Sequence, residues 1–108
     1  MNFNEYQDKA RVYAFPHIEN DAFYFLLGLC GETGEVAEKV KKIIRDQGGA
    51  IQVKDKQDIA MELGDVLWYL SNLARLYGFT LNEIAELNLK KLEKRKENDK
   101  LSGNGDDR

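Results

Sequence analysis

The sequence contains one cysteine, one histidine and one proline in 108 residues. Cys30 has no second cysteine to pair with, so no internal disulfide points to an oxidising compartment. His17 alone cannot build a histidine-rich metal site within one chain, which also disfavours a di-iron bundle with paired Glu-x-x-His motifs. If the protein binds a metal, the ligands must come mainly from its 19 aspartate and glutamate residues.

Long apolar runs and a strong excess of charge are also missing. The longest nearly apolar stretch, from Ala22 to Cys30, is far shorter than the roughly 20 residues that a membrane-spanning helix needs. The polar, acidic beginning of the chain is unlike a secretory signal. The formal net charge of −3 argues against nucleic-acid binding through bulk charge. We therefore expect a cytoplasmic protein with no membrane or nucleic-acid partner.

Scarce proline, with glycines gathered at a few positions, favours helices along most of the chain. Pro16 ends the first predicted helix, since proline disfavours a helical conformation in the residue before it. Thr80 and Glu83 form a capping box that opens the last helix. The predicted helices span residues 2–14, 20–46, 55–77 with Asp55 as its cap, and a fourth segment from residue 81.

No run of alternating apolar and polar residues is long enough to argue for a sheet. The short segment Ile51–Val53 is the only strand-like piece. The prediction is an all-α fold, a four-helix bundle in which two long central helices form an antiparallel hairpin. Residues 1–101 make one domain, and the glycine-rich, polar residues 102–108 are expected to be a flexible tail.

The two long helices carry a near-repeat of acidic residues. Residues 32–36 (ETGEV) and 62–66 (ELGDV) share the pattern Glu-x-Gly-acid-Val. At about 100° per residue, the first acid of each pair lies at the same edge of its helix's apolar arc, and the second lies about 60° further towards the polar side. An antiparallel hairpin brings both pairs to within roughly one turn of the same height. The sequence therefore predicts four carboxylates at one seam.

Four carboxylates at a partly buried seam repel one another and are driven to protonate. A divalent cation removes this conflict, and a ligand set made only of oxygen atoms suits Mg²⁺ or Mn²⁺. The alternative is a solvated polar face decorated with glutamates. We prefer that alternative for Glu38, which could pair with Lys42 at i+4, but the duplicated placement favours a metal site for the four acids together.

Several stretches around the acids form a pattern typical of one protein family. They are Glu5-Tyr6-Gln7, residues 28–36 (GLCGETGEV), Lys41-Lys42 with Arg45-Asp46, residues 62–69 (ELGDVLWY), Asn88 with Lys91, Leu92 and Arg95, and Gly103-Asn104-Gly105-Asp106. In the order and spacing of its acid pairs and in these flanks, the sequence resembles the MazG-like nucleotide pyrophosphohydrolases over nearly its whole length.

The resemblance implies an all-α, Mg²⁺-dependent hydrolase. Such an enzyme cleaves nucleoside triphosphates between the α and β phosphates and removes noncanonical or surplus nucleotides. The resemblance assigns the role of metal ligand to Glu32, Glu35, Glu62 and Asp65. A carboxylate not fully engaged by metal could accept the proton of the attacking water, and Glu32 and Glu35 both remain candidates. The resemblance also implies a homodimer or homotetramer.

Basic and amide side chains on two helices are candidates for substrate contacts. Lys39, Lys42 and Asp46 follow Glu35 along one face of the second helix, with Arg45 alongside. Phosphate contacts are favoured for Lys42 and Arg45, although i, i+4 pairing on a solvated helix is the alternative. Asn88, Lys91 and Arg95 share one face of the fourth helix. The resemblance favours phosphate or sugar contacts for these three over a solvated basic stripe.

Four further polar or aromatic positions are less certain from the residues alone. Tyr69, at Asp65 + 4, and Asn72 lie on the face of that acid and are candidates for substrate contact, but Tyr69 could equally be a tyrosine at the core boundary. Trp68 points towards the polar arc, so we expect it to be exposed and to mark a subunit contact. Gln7 could meet the base of a nucleotide.

Two alternatives to the triphosphate pyrophosphohydrolase stay open. One is a related all-α phosphohydrolase that acts on dUTP or phosphoribosyl-ATP. The other is a noncatalytic helical module that binds a partner, although the presence of all four acids speaks against it.

Overall fold

Four helices make up the described part of the chain in a computed structural model. The structure describes residues 1–98, so the tail predicted at 102–108 lies outside the described residues. No residue within 1–98 is in a strand, and the all-α prediction is confirmed. The helices are α1 (Phe3–Arg11), α2 (Ala22–Gln47), α3 (Val53–Leu76) and α4 (Leu81–Glu97).

Most helix ends follow the capping chemistry of the sequence. The Asn2 side chain accepts a hydrogen bond from the Glu5 amide at 2.9 Å and begins α1. Gly48, with a φ of 60°, ends α2 in the left-handed conformation that glycine adopts without steric cost. Thr80 and Glu83 form the predicted capping box of α4.

Two differences from the predicted helix boundaries have a clear structural cause. The third helix begins at Val53, with Gln52 as its cap, so the assignment of Asp55 as the cap is wrong. Asp55 instead completes a capping box from inside the helix by accepting the Gln52 amide at 2.9 Å. The first helix ends at Arg11 rather than at residue 14, because the next amides donate to carbonyls three residues back and form turns.

The helices α2 and α3 form an antiparallel hairpin, onto which α1 and α4 pack through α3. As residue numbers rise along α2, those of their partners on α3 fall: Tyr24 meets Tyr69, Lys39 meets Glu62, and Gln47 meets Asp55. This direction brings the two acid pairs to the same height. No helix within residues 1–98 has the length and apolar character needed to cross a bilayer.

Aromatic rings fill the core between α2 and α3. Phe25 is 0% exposed and packs edge-on against Trp68, with 5.6 Å between ring centroids. The Trp68 indole Nε1 donates a hydrogen bond to the Ala10 carbonyl of α1 at 2.9 Å. The prediction that Trp68 is exposed is therefore wrong: the ring is half-buried and joins α1 to α3. The helical wheel of α3 identifies the face that meets α2 but not the face that α1 covers.

Gln7 fastens α1 to the connection between α3 and α4. Its Nε2 donates to the carbonyls of Ser71 and Phe79 at 3.0 and 3.1 Å, and its Oε1 accepts the Leu81 amide at 3.0 Å. The side chain is buried. Its amide thus satisfies backbone groups inside the fold, which is the role that the structure supports for it in place of a contact with a base.

Candidate metal centre

Three of the four predicted acids meet at the seam between α2 and α3. One carboxylate oxygen from each of Glu32, Glu62 and Asp65 lies within 4.8 Å of the other two. Glu32 and Glu62 are half-buried, and Asp65 is exposed. We call these three residues the acidic cluster. Within residues 1–98, no other group of three aspartate, glutamate, histidine or cysteine side chains comes together in this way.

Helix geometry positions each member of the acidic cluster. Glu62 and Asp65 are three residues apart on α3, so their side chains lie on one face in successive turns. Glu32 belongs to the row of α2 side chains that faces α3. The same row contains the buried residues Phe25 and Ile43, about two turns before and three turns after Glu32.

Glu35 lies outside the acidic cluster. Its side chain is exposed one turn beyond Glu32 on α2. Its charge still reaches Glu32, where it is one cause of a raised pKa. The structure thus brings three of the four predicted ligands together, and a ligand role for Glu35 stays a prediction.

The environment of Glu32 opposes its ionisation. Burial is the largest cause that raises the pKa of Glu32 above its ordinary value of 4.5, followed by the charge of Asp65. A hydrogen bond between the Glu32 and Glu62 side chains and the charges of Glu62 and Glu35 raise this pKa further. The ionised cluster therefore holds like charges close together in a partly buried place, and a cation would relieve their repulsion.

Two tyrosines lie close enough to the acidic cluster for its charges to raise their pKa values. Burial, then a hydrogen bond with Tyr24 and the charges of Tyr24, Glu32 and Asp65, raise the pKa of Tyr69. Burial and the charge of Asp65 likewise raise the pKa of Tyr6 on α1. Both phenols therefore remain protonated, as potential hydrogen-bond donors, at neutral pH. The structure brings Tyr69 to the acids, as its spacing from Asp65 suggests.

Gly28 sets the position of the Tyr69 ring. A β-carbon at residue 28 would overlap that ring, so only glycine lets the tyrosine lie directly against the backbone of α2. Gly28 is also one turn before Glu32. The close approach joins residues on different helices, and for this reason sequence spacing alone does not reveal it.

Beyond the acidic cluster, α2 changes from acidic to basic. The Lys39 Nζ lies 3.8 Å from Glu62 Oε1. The sequence favours Lys42 and Arg45 as the basic contacts, although Lys39, two turns after Glu32, lies on the same face of α2. A cavity of about 140 Å³ opens next to it, lined by Lys39, Lys42, Ile43, Asp46, Gln47, Asp55 and Asp58.

Two predicted substrate contacts have partners within the chain. Arg45 donates from Nε and Nη2 to the two carboxylate oxygens of Asp46 at 2.7 and 2.8 Å. Asn72 is 1% exposed, donates to the Trp68 carbonyl at 3.1 Å and accepts from Arg75 at 3.0 Å. The structure does not bring Asn72 to the surface beside the acidic cluster. Substrate roles for Arg45 and Asn72 stay predictions, and they require these partners to be exchanged.

The predicted contacts on α4 lie apart from α2. Asn88 and Lys91 border a shallow depression on α4 itself. Arg95 is 8% exposed. Within residues 1–98, α4 packs against α1 and α3 but does not contact α2. The helix with these three residues, α4, therefore does not pack against α2, which contains Glu32. Their substrate roles stay predictions.

The acidic cluster fits a hard divalent cation. Its three carboxylates offer only oxygen ligands, which Mg²⁺ and Mn²⁺ prefer. The spacing of those oxygens allows one ion to contact all three, and the ion would offset the repulsion that raises the pKa of Glu32. The donor set and the electrostatics thus point to the same kind of ligand.

Comparison with known proteins adds independent information on this region. Residues 24–99 match the profile of a family described as the MazG nucleotide pyrophosphohydrolase domain. The Gene 37 protein of Mycobacterium phage L5 is 45% identical over 85 residues, which cover 79% of this chain and 75% of the phage protein. No solved structure matches the chain. The range that matches the family profile contains both acid pairs and begins after α1.

Proposed function

The chain belongs to the MazG nucleotide pyrophosphohydrolase family, and on this basis we propose that it hydrolyses nucleoside triphosphates to monophosphate and diphosphate with Mg²⁺ as cofactor. The observation that carries this proposal is the acidic cluster, three carboxylates within 4.8 Å on two helices of the matched region. The proposed role in the cell is the removal of noncanonical or surplus nucleotides.

Carboxylates supply the chain's part in the proposed chemistry. Glu32, Glu62 and Asp65 would hold the cation. When bound, Mg²⁺ supplies positive charge that neutralises the triphosphate and polarises the phosphoryl group under attack. Glu35 is exposed one turn from the cluster, so its carboxylate can accept the proton that the attacking water loses.

Hydroxyl and ammonium groups near the cluster would hold the substrate. Tyr69, kept protonated by its raised pKa, can donate a hydrogen bond to a phosphate or sugar oxygen. Lys42 faces the neighbouring cavity and can bind phosphate as a point charge. The chain has a net charge of −3, so attraction of a triphosphate must come from such local groups and the cation rather than from the overall field.

A panel of ribo- and deoxyribonucleoside triphosphates tests the reaction. We expect at least one of them to yield one diphosphate per monophosphate, and only when Mg²⁺ or Mn²⁺ is present. Ion chromatography of the products measures both. The variant with Glu35 and Asp65 both changed to Ala serves as the inactive reference. Orthophosphate as the product, or turnover unaffected by the double substitution, would contradict the proposal.

The same panel, extended with phosphoribosyl-ATP, separates the alternatives. Faster turnover of dUTP than of all other nucleotides, or hydrolysis of phosphoribosyl-ATP, would indicate a related phosphohydrolase with a narrower substrate range. No turnover, together with no Mg²⁺ or nucleotide binding in calorimetry, would indicate a noncatalytic module that binds a partner.

We also propose that the protein forms a homodimer or homotetramer. Leu26, Ala37 and Ile44 are exposed and lie within about 20° of one another around α2 at 100° per residue. Leu63 on α3 is 52% exposed. Aligned apolar side chains of this kind mark contact surfaces. In a two-fold symmetric dimer the same patch on each copy faces its equivalent.

The substitution Ile44→Glu tests the oligomer. An unpaired charge buried in an interface costs about 3–5 kcal/mol, so we expect the dissociation constant to rise by about 10²-fold or more. Light scattering should give a multiple of 12.4 kDa for the wild type and a value close to 12.4 kDa for the variant. Val12→Glu, an exposed position in the turn after α1, is the control. A wild-type monomer at working concentration would overturn the proposal.

A further inference from the structure

Lys39 has no role in the function proposed above, although it contacts the acidic cluster. Its Nζ lies 3.8 Å from Glu62 Oε1, and the two side chains are 37% and 21% exposed. A partly exposed ion pair at this distance contributes little to stability. Lys39 also lines the 140 Å³ cavity together with Lys42. Its ammonium therefore lies between the carboxylates and a cavity that a second lysine borders.

Charges follow a fixed order along this face of α2. Lys39 lies about 6 Å along the helix beyond Glu35, and Lys42 lies about 10 Å beyond it. The side chains of Glu32, Glu35, Lys39 and Lys42 project within about 80° of one another. No lysine or arginine precedes Lys39 on α2. A polyanion held at the carboxylates therefore meets positive side chains of α2 only towards the C-terminal end of that helix.

The aspartates of the cavity are largely engaged by other groups. A two-pronged hydrogen bond from Arg45 lowers the pKa of Asp46. Hydrogen bonds from a side-chain amide and a backbone amide lower the pKa of Asp55. Asp58 is the third acid in the lining, and two lysine ammonium groups line the same cavity. The basic groups that remain for an added anion are thus the two lysines.

We propose that Lys39 is a substrate-binding residue whose ammonium holds the diphosphate portion of a nucleoside triphosphate, the part that leaves after hydrolysis. The identity of the substrate rests on the proposed function. In the chain by itself, Glu62 is the partner of this ammonium, and oxygen atoms of the diphosphate take over or share that contact. Lys39 makes and breaks no covalent bond; it binds and orients the leaving group.

Binding of the product tests this assignment directly. Pyrophosphate in MgCl₂ is titrated into the wild type, Lys39→Met, Lys39→Arg and Lys41→Met in a calorimeter. Lys41 is the matched control, because it is an exposed lysine on another face of α2 that pairs with Glu38. We expect Lys39→Met to weaken pyrophosphate binding by about 10- to 100-fold, the effect of one charge-assisted hydrogen bond. Lys39→Arg should retain most of the affinity, and Lys41→Met should match the wild type.

Binding of Mn²⁺ alone separates a phosphate contact from damage to the acidic cluster. Lys39→Met should bind Mn²⁺ at least as tightly as the wild type, because a positive charge beside Glu62 has been removed. Weaker binding of Mn²⁺ and pyrophosphate together would show that Lys39 merely positions Glu62, and would overturn the proposal. Unchanged pyrophosphate affinity in Lys39→Met would overturn it as well.

Turnover separates failure of this assignment from failure of the proposed function. If the wild type releases diphosphate from no nucleotide, the proposed function fails, and the pyrophosphate titrations still decide whether Lys39 binds that anion. If the wild type is active and Lys39→Met has the same kcat and KM, the proposed function stands and Lys39 has no role in it.

Discussion

Glu32→Gln is expected to lower diphosphate release by about 10³-fold. Glutamine keeps the size of the side chain and can still donate a hydrogen bond to Glu62, but it removes one anionic ligand from the acidic cluster. Metal-derived charge stabilisation contributes several kcal/mol to a transition state, and each 1.36 kcal/mol is tenfold in rate. Single-turnover assays at saturating nucleotide measure the loss.

The same substitution is expected to raise the melting temperature of the metal-free protein at pH 7. It removes the negative charge of Glu32, which burial and the charges of Asp65 and Glu62 disfavour. Each kcal/mol of repulsion removed raises the melting temperature of a domain of this size by about 4–8 °C. Addition of Mg²⁺ should stabilise the wild type much more than the variant, because a ligand stabilises the state that binds it.

The stability of the metal-free protein is expected to change with pH in a definite direction. The folded-state pKa of Glu32 is raised above 4.5, so between 4.5 and the raised value the folded chain binds more protons than the unfolded chain. Stability of the metal-free wild type therefore falls as pH rises through this window, and the loss is complete above it. Glu32→Gln should not show this decline. Urea titrations across the window in EDTA measure it.

Glu38→Gln is the control for all three measurements, because Glu38 is exposed on α2 and pairs with Lys41 away from the acidic cluster. We expect this variant to retain wild-type turnover and response to Mg²⁺. Near wild-type turnover in Glu32→Gln would show that the acidic cluster is not the reaction centre. A lower melting temperature for metal-free Glu32→Gln than for the metal-free wild type would show that charge repulsion in the acidic cluster does not limit stability.

Phe25→Ala is expected to cost about 3–5 kcal/mol of folding free energy, the range for removing a buried aromatic ring. Phe25 is 0% exposed and packs edge-on against Tyr24 and Trp68, with centroid distances of 5.5 and 5.6 Å. Its removal leaves a void where α2 and α3 meet. Domains of this size have a total stability of about 5–15 kcal/mol, so a large part of it is lost. Urea denaturation at equilibrium measures the change.

Tyr13→Ala provides the contrast, because it also removes an aromatic ring but from a side chain that is 79% exposed. We expect a change within about 0.5 kcal/mol there. A milder variant, Phe25→Leu, should stay folded while loosening Tyr69, whose ring centroid lies 6.3 Å from that of Phe25. A loss below about 1 kcal/mol for Phe25→Ala would mean that the aromatic cluster is not the centre of the core.

Local chemistry accounts for most of what the sequence predicted well. Capping residues such as Thr80 and Glu83 act within one turn, so a short stretch of sequence contains all the necessary information. Asp55 shows the limit of this approach, since its carboxylate serves equally well as a cap or as the third residue of a capping box. The choice depends on where α2 ends and on the Gln47 amide, which donates to Asp55 at 2.9 Å.

Contacts made by a third helix explain the largest error. A helical wheel finds the face of α3 that meets α2, and it leaves Trp68 on the polar side. The structure covers that side with α1, whose Ala10 carbonyl accepts the indole hydrogen. The structural role of Gln7 is hidden from the sequence for a similar reason, because its partners lie 64 to 74 residues away in sequence.

The sequence by itself determined the helical class, the family and the two acid pairs, because helix periodicity and residue spacing are local properties. Only the tertiary structure decided which acids meet: Glu32, Glu62 and Asp65 come together, while Glu35 stays exposed one turn away. It also decided that Lys39, rather than Arg45, is the basic side chain that touches the acidic cluster. These outcomes depend on the axial register and rotation of α2 against α3. A shift of one residue turns a side chain by about 100°, and long-range packing alone sets that rotation.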